Sequence, residues 1–170
     1  ANATLNCIAQ GETDNTTTGG GTPTVATLTR FNQFQGSIKK DGVQLGNVTG
    51  AQLTYSNNLE RIETIRSDGK IDGADPTIAA LTGNIEVRFA DTALIDAATD
   101  NTPLELAFAY TIDADKSLTF TAHEVYLPKP KLAISGPGGV QATFDWQAAK
   151  ATSPARMLTV VLKNDVASYA

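Results

Sequence analysis

His123 and Cys7 are the only histidine and the only cysteine in the chain, so any nucleophilic or metal chemistry would have to be built around them. A zinc site takes four nitrogen or sulfur ligands. One histidine with no second histidine and no suitably placed cysteine does not supply them. A Ser/His/Asp arrangement is conceivable on paper, yet no serine sits in a Gly-x-Ser-x-Gly setting. His123, followed by Glu124 in an alternating run, reads as an ordinary strand histidine. Cys7 lies in Leu5-Asn6-Cys7-Ile8-Ala9 and reads as a half-buried strand residue rather than a reactive thiol. Asp68, Asp72 and Asp75 cluster within eight residues. Their spacing misses the calcium-loop pattern, no bidentate Glu follows, and Lys70 stands among them, so a solvated turn is the better reading. Gly136-Pro137-Gly138-Gly139 lacks the Gly-Lys-Ser/Thr ending of a phosphate loop and reads as a tight strand connection. Trp146 reads as a core or interface anchor. The residues therefore imply no catalytic group, no metal site and no cofactor.

The elements that must position these residues are mostly strands. Period-two alternation runs through 24–31, 34–40, 43–45, 51–57, 81–89, 104–112, 118–127, 140–146 and 157–162, about nine strands in all. Asp41-Gly42 between two of these runs predicts a hairpin, because both residues tolerate the positive φ of a type I′ turn. In 81–89, Ile85, Val87 and Phe89 take one face while Asn84, Glu86 and Arg88 take the other. One helix interrupts the pattern at 93–98, capped by Asp91-Thr92 and ended by Asn101 and Pro103. A second helical turn is conceivable over 147–150. The resulting fold class is all-β, a mainly antiparallel β-sandwich or barrel with one short flanking α-helix. Residues 10–23 are rich in Gly and Thr and read as a flexible loop, and 67–76 reads as a turn-rich loop.

The 170 residues suit a single domain with a real core. No apolar run approaches 18 residues, so no helical membrane span is expected. Net charge is −5, with 18 acidic and 13 basic residues, which argues against a surface that grips nucleic acid. The chain opens at Ala1-Asn2-Ala3-Thr4 without Met or signal-peptide character, and we expect a fragment or a processed form.

Several strings, read in order, resemble one family. They are 34–43 (FQGSIKKDGV), 53–59 (LTYSNNL), 81–89 (LTGNIEVRF), 117–120 (SLTF), 138–149 (GGVQATFDWQAA) and 160–166 (VVLKNDV). Together they are similar to the C-terminal half of tail tube proteins of long-tailed bacteriophages and prophages. The resemblance covers nearly the whole chain. It implies a tail-tube-like sandwich that self-associates into stacked rings around a DNA-conducting channel, with a matching N-terminal half before Ala1. It implies other phage tail proteins as partners, DNA passing through the lumen without specific binding, and no membrane partner. The place of work would be the virion tail, after synthesis in the bacterial host cytoplasm. The family has no catalytic residues to carry over.

The segment 59–80 is long for a connection. It mixes charges with regularly placed isoleucines and reads as a loop that orders against a partner. The resemblance makes that partner the neighbouring ring. The expected inter-ring residues are Arg61, Ile62, Ile65, Arg66, Asp68, Lys70, Ile71 and Asp72. The alternative is a local hairpin folded back on its own sandwich. Competing functions are a carbohydrate- or cell-surface-binding β-sandwich module, an adhesin or pilin-like subunit, and a hydrolase with a hidden triad. The first would need exposed aromatic platforms, yet aromatics are only 6% and fall mostly at alternating core positions.

Overall fold

The computed structural model describes residues 2–11, 14, 16, 29–88, 92–130 and 140–166. Among the described residues there are ten strands: β1 (Gly36–Lys40), β2 (Val43–Gln44), β3 (Val48–Ser56), β4 (Leu59–Ile62), β5 (Gly73–Pro76), β6 (Ala80–Arg88), β7 (Leu104–Thr111), β8 (Ser117–Tyr126), β9 (Gln141–Ala149) and β10 (Leu158–Lys163). The helix α1 spans Ala93–Thr99. The chain divides into two compact units, one of 1–30 with 57–79, the other of 31–56 with 80–170.

The larger unit is one antiparallel sheet in the order β2-β1-β7-β8-β9-β6-β3, with β10 added to β8 off that path. Asp41 and Gly42 join β1 to β2 with φ of 49° and 81°, the left-handed pair that the Asp-Gly signal demands. β6 and β9 pair over eight positions from Leu81↔Ala148 to Arg88↔Gln141. Their alternation sends Leu81, Ile85 and Val87, with Ala142, Phe144, Trp146 and Ala148, to the buried side. β7 adds Leu104, Leu106 and Phe108 to the same core. Leu94 and Ala98, one turn apart on α1, complete it. Asn101 follows that helix at φ 51°, a conformation asparagine tolerates better than most residues.

Two local devices shape this core. The Trp146 ring stacks on Phe108 at 5.9 Å between centroids. It also lies over Gly83, its partner across the β6–β9 ladder. A Cβ at Gly83 would collide with the Gln52 carbonyl and meet the indole at 2.5 Å, so the glycine makes room for the tryptophan. The second device is a bulge. Leu104 pairs with Val125 but Leu106 pairs with Ala122, so Glu105 stands opposite both His123 and Glu124. The extra residue resets the alternation, which lets both Ala122 and Val125 reach the core.

Several expectations need correction. Gln33–Gln35 form a 3-10 turn, so the strand begins at Gly36 and Phe34 is fully exposed. Residues 147–149 continue β9 instead of turning helical, because Ala148 keeps the alternation and pairs with both β6 and β8. Cys7 is exposed and in no strand, since the alternating run around it finds no ladder partner. Residues 73–76, expected as loop, are strand β5. Of the run expected at 24–31, residues 29–31 are in no strand and 24–28 lie outside the described residues, as do most of the loop at 10–23, Phe89, Asp91 and the 136–139 connection.

Candidate assembly surfaces

In the smaller unit, β4 and β5 pair from Leu59↔Pro76 to Ile62↔Gly73, so 59–80 is a hairpin and not an irregular loop. Asn58, at φ 47°, closes its base: its side-chain amide donates to the Ile78 carbonyl at 2.7 Å, and the Thr77 hydroxyl donates to the Asn58 carbonyl. The tip is held electrostatically. The Arg66 guanidinium donates to both oxygens of Asp68, at 3.0 and 2.9 Å, and also to Asp72. The Lys70 amide donates to Asp68 as well, at 3.2 Å. Arg66, with help from that amide, pulls the Asp68 carboxyl below the usual range, and the two aspartates push the guanidinium up. Arg66 thus occupies the ground between two of the clustered carboxylates. Arg61 pairs with Glu63.

Of the eight residues expected here, the structure brings Arg66, Asp68, Lys70 and Asp72 together at the tip. Arg61 and Ile62 stand in β4, and Ile71 is half-buried. Ile65 is fully exposed, and Leu59 and Ile78 are also exposed on the same hairpin. The hydrogen-bonded hairpin thus leaves three large aliphatic side chains in water.

His123 has two polar partners. Its Nδ1 lies 3.0 Å from Glu105 Oε2 and its Nε2 lies 2.7 Å from Thr159 Oγ1. A carboxylate only accepts, so Nδ1–H donates to Glu105, while Nε2 and the Thr159 hydroxyl share the second hydrogen bond. The order carboxylate–imidazole–hydroxyl is that of a hydrolytic triad. Its setting is different: the three residues stand on β7, β8 and β10, and the His123 amide also donates to the Met157 carbonyl at 3.2 Å. The relay joins the start of β10 to the β7–β8 bulge.

The far end of β10 is fastened likewise. Lys163 donates to the Ala114 carbonyl at 2.8 Å, and Lys116 pairs with Asp165 at 3.1 Å. That pairing lowers the Asp165 carboxyl and raises the Lys116 amine relative to their ordinary values. Between the two fastenings, Val160, Val161 and Leu162 are all about half exposed. The sequence alone did not single out these three, nor Glu105 and Thr159. The available signal was the run Val160-Val161-Leu162, three apolar residues in a strand too short to bury both faces.

Residues 1–148 match the sequence profile of the phage tail tube protein family. The chain belongs to that family. As a tail tube protein it is a structural component of the virion tail, a subunit of the tube. The fold of this tail tube protein is also found in solved structures. The tube-terminating cap of the anti-feeding prophage superposes with a TM-score of 0.59 at 10% identity, over 82% of this chain and 96% of that one. The SPP1 tail tube gives 0.58 at 13% identity, over 80% and 81%. A chain of the native gene transfer agent virion gives 0.56 at 13%, over 76% and 98%. No curated protein matches the tail tube chain in sequence.

Proposed function

We propose that this tail tube protein closes into rings that stack around a channel, that DNA passes through the channel without specific binding, and that the hairpin 59–80 is the contact between successive rings. The observation that carries the last point is the ordered, charge-clamped hairpin with Leu59, Ile65 and Ile78 exposed. A ring stacked on it would cover apolar surface worth about 25 cal/mol per Å². The Arg66–Asp68–Asp72 cluster would hold the tip in one shape before the neighbour arrives.

The chain works by geometry and not by turnover. The Glu105–His123–Thr159 relay is read as a fastening for β10, because the Thr159 hydroxyl is engaged by the ring within a strand that β8 already holds by pairing. The test of the inter-ring role is electron microscopy of the double variant Arg61→Glu, Arg66→Glu beside Ile65→Ser. Folded subunits or single rings that no longer stack are the expected result for both. Normal tubes from both would reject the hairpin as the inter-ring contact.

A further inference from the structure

The hairpin 59–80 has two sides, and they differ in chemistry. β4 and β5 form a two-stranded sheet of their own. In an antiparallel pair, residues directly opposite share a side and successive residues alternate. Leu59 with Pro76 and Arg61 with Ala74 therefore stand on one side, and Glu60 with Asp75 and Ile62 with Gly73 on the other. Arg61 is the one base in either strand. The first side is apolar and basic, whereas the second carries two carboxylates.

The acidic side holds a conflict. Glu60 and Asp75 are direct cross-strand partners and both are exposed, and like charges in that position destabilise a hairpin. Neither carboxylate forms an ion pair among the described residues. A lone two-stranded sheet is marginal in water even without such repulsion. The clamps at the base and the tip hold the strands together, but they do not touch the Glu60–Asp75 step. What relieves that step is a cation supplied from outside the hairpin.

The reverse side of a second copy carries that cation. Arg61 stands there beside Leu59, which is 43% exposed. Within its own chain Arg61 pairs with Glu63, but both side chains are more than half exposed, and an ion pair in that setting contributes little. The guanidinium is therefore available for exchange. Its fork of donors suits carboxylates, and two of them side by side suit it better than one. Leu59 and Pro76, exposed around it, supply apolar surface to bury in the same contact.

We propose that the hairpins of neighbouring copies within a ring stack side on side, the Leu59–Arg61 side of one covering the Glu60–Asp75 side of the next; this pairing rests on the reading of the chain as a ring-forming subunit. The two sides differ, so the contact is heterologous and head-to-tail, the kind that closes rings. Sheets stacked face to face lie about 10 Å apart, a gap that an arginine from one and a carboxylate from the other fill between them. The tip, with exposed Ile65 and the Arg66–Asp68–Asp72 cluster, is left to meet the next ring.

The experiment uses two charge-reversed chains, Glu60→Lys with Asp75→Lys in one and Arg61→Glu in the other. Each alone sets like charges against each other at every contact. Each should keep its far-ultraviolet circular dichroism yet need at least about tenfold more protein than the parent to form rings seen by electron microscopy. In an equal mixture, alternating copies meet with opposite charges at both sides. The mixture should therefore form rings at the parent's concentration, with both chains present in similar amounts by mass spectrometry. Rings from either variant alone at the parent's concentration, stacked or unstacked, or a mixture no better than its components, would overturn the side-on-side pairing while leaving ring formation intact. A parent chain that stays monomeric at high concentration would reject ring formation itself and the pairing with it.

Discussion

At the scale of single residues, the structure is decided by a few positions that have no freedom. Gly83 is one, because its missing Cβ is where the Trp146 indole lies and where the Gln52 carbonyl of the next strand approaches. Neither neighbour can yield: one is backbone, the other is a buried ring stacked on Phe108. Gly83→Ala is expected to destabilise the fold by on the order of 3 kcal/mol, through forced displacement in a packed core. The measurement is the denaturant midpoint, and a loss below about 0.5 kcal/mol would show that the strands part freely there. Trp146→Phe should cost less than this. It loses some buried surface but also removes an indole N–H that is buried and has no hydrogen-bond partner among the described residues. His123 shows the opposite economy, since both ring nitrogens are used, one by Glu105 and one by Thr159.

At the scale of elements, the same physics explains what could and could not be read in advance. β6 and β9 were legible because each alternates apolar and polar side chains over most of its length, and β7 because a large apolar residue recurs at every second position from Leu104 to Tyr110, patterns a half-buried strand requires. The β1–β2 turn was legible because Asp41-Gly42 is a local signal that needs no tertiary context. β4 and β5 were not. Glu60-Arg61 and Asp75-Pro76 break any apolar alternation, and what holds the hairpin is side-chain clamping at its base and tip. The bulge in β8 was also hidden, because a one-residue phase change between Ala122 and Val125 looks the same in sequence as an imperfect strand. The candidate site was legible only in part: the charged cluster at the hairpin tip was seen, but the β10 edge was not, since exposure there depends on which strands lack neighbours. β10 yields its own prediction. Asp165 is held below its ordinary value of 3.8, so its contribution is fully present above that value and is lost as pH falls through the lowered one. Lys116 is held above its ordinary 10.5, so its contribution is present below that value and is lost as pH rises through the raised one. The amides of β10 that bond to β8 should therefore open more often at about pH 3 than at about pH 6 once intrinsic exchange rates are divided out. Lys116→Ala should erase that difference, and an unchanged difference in the variant would assign it to another group.

At the scale of the whole molecule, charge and surface chemistry agree on how the protein should treat a polyanion. Eighteen acidic against 13 basic residues leave a net charge of −5. The solvent face shared by β3, β6 and β9 is a carpet of amides and hydroxyls, with Gln52, Asn84 and Asp145 in one cross-strand row and Thr54, Thr82 and Gln147 in the next. The charged residues of β6 and β9 that flank or join these rows, Glu86, Arg88 and Asp145, are two acids and one base. Affinity for duplex DNA comes chiefly from basic side chains that displace condensed counterions from phosphates, and this face offers almost none. The expectation is that assembled particles leave the electrophoretic mobility of double-stranded DNA unchanged up to about 0.1 mM protein at physiological salt, outside the range of ordinary non-specific binding. The double variant Glu86→Lys, Asp145→Lys reverses the sign of the face. If that face is accessible in the assembly, retardation should appear and weaken steeply with added salt. Retardation by the unaltered protein, with a steep salt dependence, would mean that a basic surface is assembled between subunits and that DNA is held and not merely let through.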